Sequence, residues 1–236
     1  MNDGEHDREL SRRTALRVLG GMLGGGAFGL LGAAPIGFAA PPVDRAQRKL
    51  GNRLQLWATF ARKSSNLLVR YGSIRTSPLL RDELVGSGSL AFVAPDTLVL
   101  RDDGLTGSTT RIEPGRIAII PNDPSLPRRA LPSRNESPAL RWLADHLLAS
   151  FAPGDGSGLT ANARVEVPGG PRLSLMPPRN SAARGLIRSV TLTLDQVGGA
   201  VIRIEIAESD GGTFTLKLSD HRQDVEPELL ARTLQP

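Results

Sequence analysis

The residues of this 236-residue chain that narrow its chemistry most are three histidines, a pair of adjacent arginines and the absence of cysteine. His6 lies in the N-terminal segment, His146 follows Asp145 inside an apolar-periodic stretch, and His221 follows Asp220 at the end of a strand-like one. No pair has the spacing of an HExxH metal helix, and no Gly-x-Ser-x-Gly elbow occurs. Asp220-His221 could be half of an acid/base pair, but surface turn residues account for it more simply. Without cysteine there is no disulfide framework, thiolate zinc site or catalytic thiol, and no cysteine on which to build a lipoprotein anchor. These residues point to binding rather than catalysis, with no metal and no cofactor expected.

Arg12 and Arg13 stand in the run Ser11-Arg12-Arg13-Thr14-Ala15-Leu16-Arg17, ahead of 26 uncharged positions from Val18 to Val43. Eight of the 26 are Gly and Pro35 interrupts the end, which makes a poor permanent membrane helix. The segment resembles a twin-arginine export signal, with Ala15 where Phe is usual and Arg17 in place of Lys. Small residues at Gly37-Phe38-Ala39 offer a peptidase site, so residues 1–39 are expected to be a cleaved signal, the alternative being an uncleaved anchor. Those residues carry four basic and four acidic side chains, leaving the whole net charge of +5 on residues 40–236. For an exported chain nucleic acid is not an expected partner. Attraction to anionic head groups is physically available, at about 1 kcal/mol per basic residue near the surface.

Residues 40–236 are enough for one domain with a substantial core. Val43, Leu50, Leu54, Trp57 and Ala61 form an amphipathic stripe, predicting a helix from Val43 to about Lys63. Short alternating segments at 66–76, 81–93, 97–102, 109–113 and 116–120 read as antiparallel strands. Pro121, Pro124, Pro127 and Pro132 exclude a helix or a central strand from the next stretch. Ser137 and Pro138 then announce a second helix, with Leu140, Leu143, Ala144, Leu147, Leu148 and Phe151 on one face and Gly154-Asp155-Gly156 as its stop. Trp142 falls on the opposite side, either covered by a loop or exposed for a partner. Strands resume at 163–167, 171–176, 186–195, 200–207 and 213–219, joined by Gly-rich turns. In the last three, Leu192 and Leu194, then Ile202, Ile204 and Ile206, then Phe214, Leu216 and Leu218 alternate with polar residues. Glu226 to Leu234 reads as a short helix.

The fold class is mainly β (α+β): about ten antiparallel strands, with one helix leading and one inserted. A sheet of that size curls, and the apolar helix faces would cover its concave side. The order of elements and the run Gly88-Ser89-Leu90-Ala91-Phe92-Val93-Ala94-Pro95-Asp96-Thr97-Leu98 resemble the LolA family of periplasmic lipoprotein carriers, particularly its LolA-related branch. Leu175-Met176-Pro177-Pro178-Arg179, the apolar strand from Leu186 and the Glu208-Ser209-Asp210-Gly211-Gly212-Thr213 hairpin extend the likeness over most of residues 50–220.

The resemblance implies an unclosed β-barrel with an inserted helical lid, whose interior holds the acyl chains of a lipoprotein in transit. It places the acyl cavity at Leu90, Phe92, Leu98, Leu100, Ile117 and Ile119 of the first strands, Leu140, Leu143, Leu147, Leu148 and Phe151 of the lid, and Leu192, Leu194, Ile202, Ile204, Ile206, Phe214 and Leu216 of the last strands. It implies an acylated lipoprotein or similar lipidated cargo as partner, an inner-membrane donor and an outer-membrane acceptor, a monomer, and a periplasmic location. Where the family has a lid-locking Arg before the Pro of its strand-end motif, this chain has Ala94. Plain core packing is the alternative for each apolar residue taken singly. Two other functions remain open: a lipid- or envelope-sensing binding module without transfer activity, and an accessory protein of an envelope assembly with a filled core.

Overall fold

The computed structural model describes residues 45–63, 65–79, 81–114, 116–126, 129–130 and 137–234. The export segment read at residues 1–39, including Arg12 and Arg13, and the Val43 end of the leading stripe lie outside the described residues.

The leading helix α1 (Arg45–Ala61) turns Trp57, Ala58 and Ala61 into the core and half-buries Leu50 and Leu54. A meander follows: β1 (Asn66–Thr76), β2 (Leu84–Val93), β3 (Thr97–Asp102), β4 (Ser108–Glu113), β5 (Arg116–Pro121) and β6 (Arg129–Ala130). The two-residue β6 lies in the Pro-rich stretch. It is an edge strand, where missing backbone donors cost least.

The inserted helix α2 (Pro138–Ala149) starts as its sequence predicts, with Pro138 in the first turn and the Leu140 N–H donating to Ser137 Oγ at 3.4 Å. A single turn, α3 (Ser157–Thr160), follows where the Gly-rich stop gave no sign of a helix; the left-handed Gly156 begins it. The second meander is β7 (Arg164–Glu166), β8 (Arg172–Met176), a 3-10 turn at Ala182–Gly185, β9 (Ile187–Leu194), β10 (Val201–Glu208) and β11 (Thr213–Gln223). The chain's last element, α4 (Pro227–Leu234), is the short helix expected there.

The strands form one antiparallel sheet of order β6-β5-β4-β3-β2-β1-β11-β10-β9-β8-β7. The two meanders are zipped together where β1 pairs with β11, from Leu67↔Gln223 to Thr76↔Thr213. No pairing joins β6 to β7 among the described residues, so the barrel is open. Its curvature follows from the packing of α2. This one helix touches both β3 and β9, which stand five strand spacings apart. In a flat sheet five spacings would be about 24 Å. A helix with its side chains is only about 10–12 Å across, so the sheet must wrap around it. The unclosed antiparallel sheet with an inserted helix is the architecture the sequence led us to expect.

The concave face carries the main core, with Leu67, Val69, Leu90, Phe92, Leu98, Leu192, Leu194, Ile204 and Leu216 essentially inaccessible. The convex face has its own small cluster, in which Val225 and Leu230 of the C-terminal segment cover Ala91, Leu68 and Val93. That cover buries both faces of β2 at Ala91 and Phe92. Ile202 departs from the expected alternation and is 39 % exposed. The β9–β10 register slips between Val201 and Arg203, so Val201 takes the inward place and Ile202 occupies the bulge.

Candidate functional site

Between the apolar face of α2 and the curved sheet lies a cavity of about 330 Å³. Leu140, Leu143, Ala144 and Leu147 of α2 form its roof. Helical spacing of three and four places them over one another on the same side. The walls come from inward-pointing strand positions: Leu100 of β3, Thr110 and Ile112 of β4, Ile117 and Ile119 of β5, Ile187 of β9, Ile206 of β10 and Phe214 of β11.

Eight of the residues expected to form an acyl cavity line this space: Leu100, Ile117, Ile119, Leu140, Leu143, Leu147, Ile206 and Phe214. Leu90, Phe92, Leu98, Leu192, Leu194, Ile204 and Leu216 pack in the solid core beside it. Leu148 and Phe151 join that core from the C-terminal turn of α2 and the residues after it. Ile202 has no part in either.

Polar side chains stand along the same cavity. Tyr71, the chain's one tyrosine, donates its hydroxyl to Asp102 Oδ1 at 2.6 Å. Burial first, and then the Asp102 carboxylate, push the phenol far above its ordinary range, so it stays a donor throughout the physiological range. Asp102 Oδ2 accepts from the Ser108 backbone N–H at 3.2 Å and from Ser108 Oγ at 3.1 Å. Tyr71 reaches Asp102 by crossing over Gly88, its partner on β2; a Cβ there would collide with both the hydroxyl and the Arg101 carbonyl oxygen. Arg75 and Glu208 form an ion pair of 3.1 Å, with half of the arginine side chain exposed. They mark the side on which water reaches the cavity.

The sequence carried a usable sign of these groups. Asp102 continues the inward series Leu98 and Leu100, and Glu208 continues Ile204 and Ile206, so both acids fall at cavity parity.

The outer side of α2 explains Trp142. Its indole N–H donates to the Asn162 carbonyl at 2.8 Å and its ring stacks on His146 with centroids 4.1 Å apart. The segment after α3 thus covers it. His146 is 2 % exposed and donates from Nδ1 to the Trp142 carbonyl at 2.7 Å. Burial lowers its pKa, against the opposing pull of the Trp142 and Ala161 backbones, so the ring is neutral at pH 7. The Trp57 indole ties α1 to the end of α2 by donating to the Ser150 carbonyl at 2.9 Å.

Both described histidines are hydrogen-bonded to backbone carbonyls. His221 Nε2 donates to the Val201 carbonyl at 2.8 Å, and its ring meets Phe60 edge-on. No group of three or more potential metal ligands occurs among the described residues, and none of the described helices is long and apolar enough to cross a membrane. The cavity can exclude water from hydrocarbon and offer hydrogen bonds beside it.

No family model matches the chain, and no curated protein does. Among solved structures it is similar to a LolA superfamily protein from Nitrosomonas europaea, with a TM-score of 0.43 and 11 % identity over 78 % of this chain and 96 % of that one. A DUF1329 family protein from Desulfovibrio piger gives 0.43 and 11 %, over 79 % of this chain and 98 % of the other. The lipoprotein LppX from Mycobacterium tuberculosis gives 0.41 and 15 %, over 77 % and 99 %. What the cavity can hold follows from its own walls.

Proposed function

We propose that this chain is a periplasmic carrier that shelters an acyl chain of a lipoprotein, or of similar lipidated cargo, between α2 and the curved sheet during transfer toward the outer membrane. The observation that carries this reading is the cavity itself: about 330 Å³ roofed by leucines of one helix and walled by aliphatic side chains of both meanders. Sites for small molecules run from roughly 300 to 1,000 Å³, so this volume suits a single hydrocarbon chain. Ten buried methylenes would contribute on the order of 8 kcal/mol before the cost of association, which is ample for binding and weak enough for release.

The polar groups fit the same reading. Arg75, Glu208, Tyr71 and Asp102 sit where the polar end of an acylated molecule would meet water. Aliphatic walls discriminate poorly between chains of similar length, so selection among cargoes falls to these groups or to contacts outside the cavity. Sheltering and releasing a hydrocarbon chain needs no catalytic group. The export segment read at residues 1–39 supports the location.

The test is a fluorescent hydrophobic probe titrated into the protein and then competed with a lipoprotein, acylated or deacylated. Displacement by the acylated form alone is the expected result. A protein that binds no probe, or that releases it equally to both forms, would return the chain to the reading of an envelope interaction module.

A further inference from the structure

Six of the large apolar side chains left in water stand at one end of the sheet. The topology brings them there from four separate connections: Leu79, Leu84 and Val85 from the β1–β2 hairpin, Leu105 from the β3–β4 turn, Leu126 from the β5–β6 connection and Leu186 from the β8–β9 connection. Leu79 is 90 % exposed and Val85 76 %. The hairpin projects past β3, because residues 84 to 87 of β2 pair with β1 while β3 pairs only from Gly88 onward. Asp102, Ile187, Glu208 and Phe214, which line the cavity, are at the same end of their strands.

Charge at this end is divided. The carboxylates nearest the cavity are engaged, Asp102 by Tyr71 and Ser108, Asp103 by Arg70 and Ser87, and Glu208 by Arg75. The hairpin carries Arg81 beside Asp82 and Glu83. The segment from Pro177 to Arg188 contains Arg179, Arg184 and Arg188 and no acidic residue. All three arginines are exposed and form no ion pair with described residues.

We infer that this end of the sheet docks on a phospholipid bilayer, the leucine tips entering the head-group boundary and the three arginines meeting lipid phosphates. A protein partner would need a continuous complementary patch, whereas single leucines on separate turns suit a fluid apolar phase. The basic segment beside Leu186 supplies the charge complementarity for anionic lipid. Docking there would bring the cavity to the surface from which an acyl chain is drawn, so the inference gains its purpose from the carrier reading but not its evidence.

The uncharged stretch from Val18 to Val43 can itself enter a membrane, so the test must be site-resolved. The chain has no cysteine, so Leu79→Cys, Val85→Cys and Val197→Cys each give one attachment point for an environment-sensitive dye on the full chain. Val197, 89 % exposed at the opposite end, is the control. With vesicles of phosphatidylcholine and phosphatidylglycerol, the dye at 79 and 85 should shift to the blue and brighten, and the dye at 197 should not. In the Leu79→Cys background, changing Arg184→Gln should raise the half-saturating lipid concentration about fivefold, the factor for one basic residue at an anionic surface. Silence at 79 and 85, or an equal response at 197, would overturn the inference. These vesicles carry no lipoprotein, so a failure here leaves the displacement experiment untouched, and the converse holds.

Discussion

Truncating one leucine in the roof of the cavity and one in the adjoining core separates a binding wall from ordinary packing. Leu192 is 0 % exposed and packed on all sides, so Leu192→Ala should cost about 2–5 kcal/mol of folding stability through lost transfer energy and a new void. Leu143 is half-buried and already borders open space. Leu143→Ala removes three carbons, worth about 2.4 kcal/mol if fully buried. Half of that, about 1 kcal/mol, is the expected loss of stability in the empty protein. The other half appears when a bound chain covers the exposed side of Leu143, so affinity for an acyl probe should fall about fivefold. Leu192→Ala should leave affinity unchanged at temperatures where it remains folded. Urea unfolding followed by tryptophan fluorescence gives the stabilities, and a probe titration gives the affinities. If Leu143→Ala destabilises as much as Leu192→Ala, or if the two variants bind the probe alike, the cavity is not a binding wall.

Other consequences follow from single contacts. Gly88→Ala would push the Tyr71 ring off Asp102 and meet the Arg101 carbonyl, so a loss of about 1–3 kcal/mol is expected; a near-ultraviolet circular dichroism change from the single tyrosine should accompany it, and an unchanged variant would contradict the contact. His146 has a folded-state pKa below its unfolded value of 6.5. The unfolded chain therefore binds the extra proton first, and stability that is full above pH 6.5 should decline on acidification until the folded-state pKa is passed. The slope for one proton is at most about 1.4 kcal/mol per pH unit. Melting temperatures of His146→Phe, which keeps a ring against Trp142, should be flatter across that window than those of the unaltered chain. Ser137→Ala removes the cap of α2 and should cost about 1 kcal/mol by thermal unfolding; no change would mean that the helix start is held by its packing alone.

The elements were legible because their signals are local. Ser137-Pro138 and the three-and-four spacing after it define α2 without any tertiary information, and Gly-rich turns between alternating strands define the second meander. The location of empty space was not legible. Leu192 and Phe214 show the same alternation, yet one is in solid core and the other lines the cavity. Parity specifies the concave face, while the void depends on how far the sheet curls around α2. The bulge after Val201 is a second case. One unpaired residue reverses the face of Ile202, and no turn or charge in the sequence marks it. Trp142, off the apolar stripe, was open between cover and partner. Its cover comes from Asn162, on a turn that the glycines around Asp155 conceal. The acids Asp102 and Glu208 are legible, because each continues the inward parity of the apolar residues before it on its strand.

The most direct measurement is the position of a bound acyl chain in the protein. A lipopeptide with a diazirine near the end of its acyl chain, bound and irradiated, should leave adducts on cavity residues such as Ile119, Leu143 and Phe214, and the unacylated peptide carrying the same group should leave none there. Adducts on the convex face around Leu68 and Val93, or a pattern shared with the unacylated peptide, would contradict a carrier that holds hydrocarbon between α2 and the sheet.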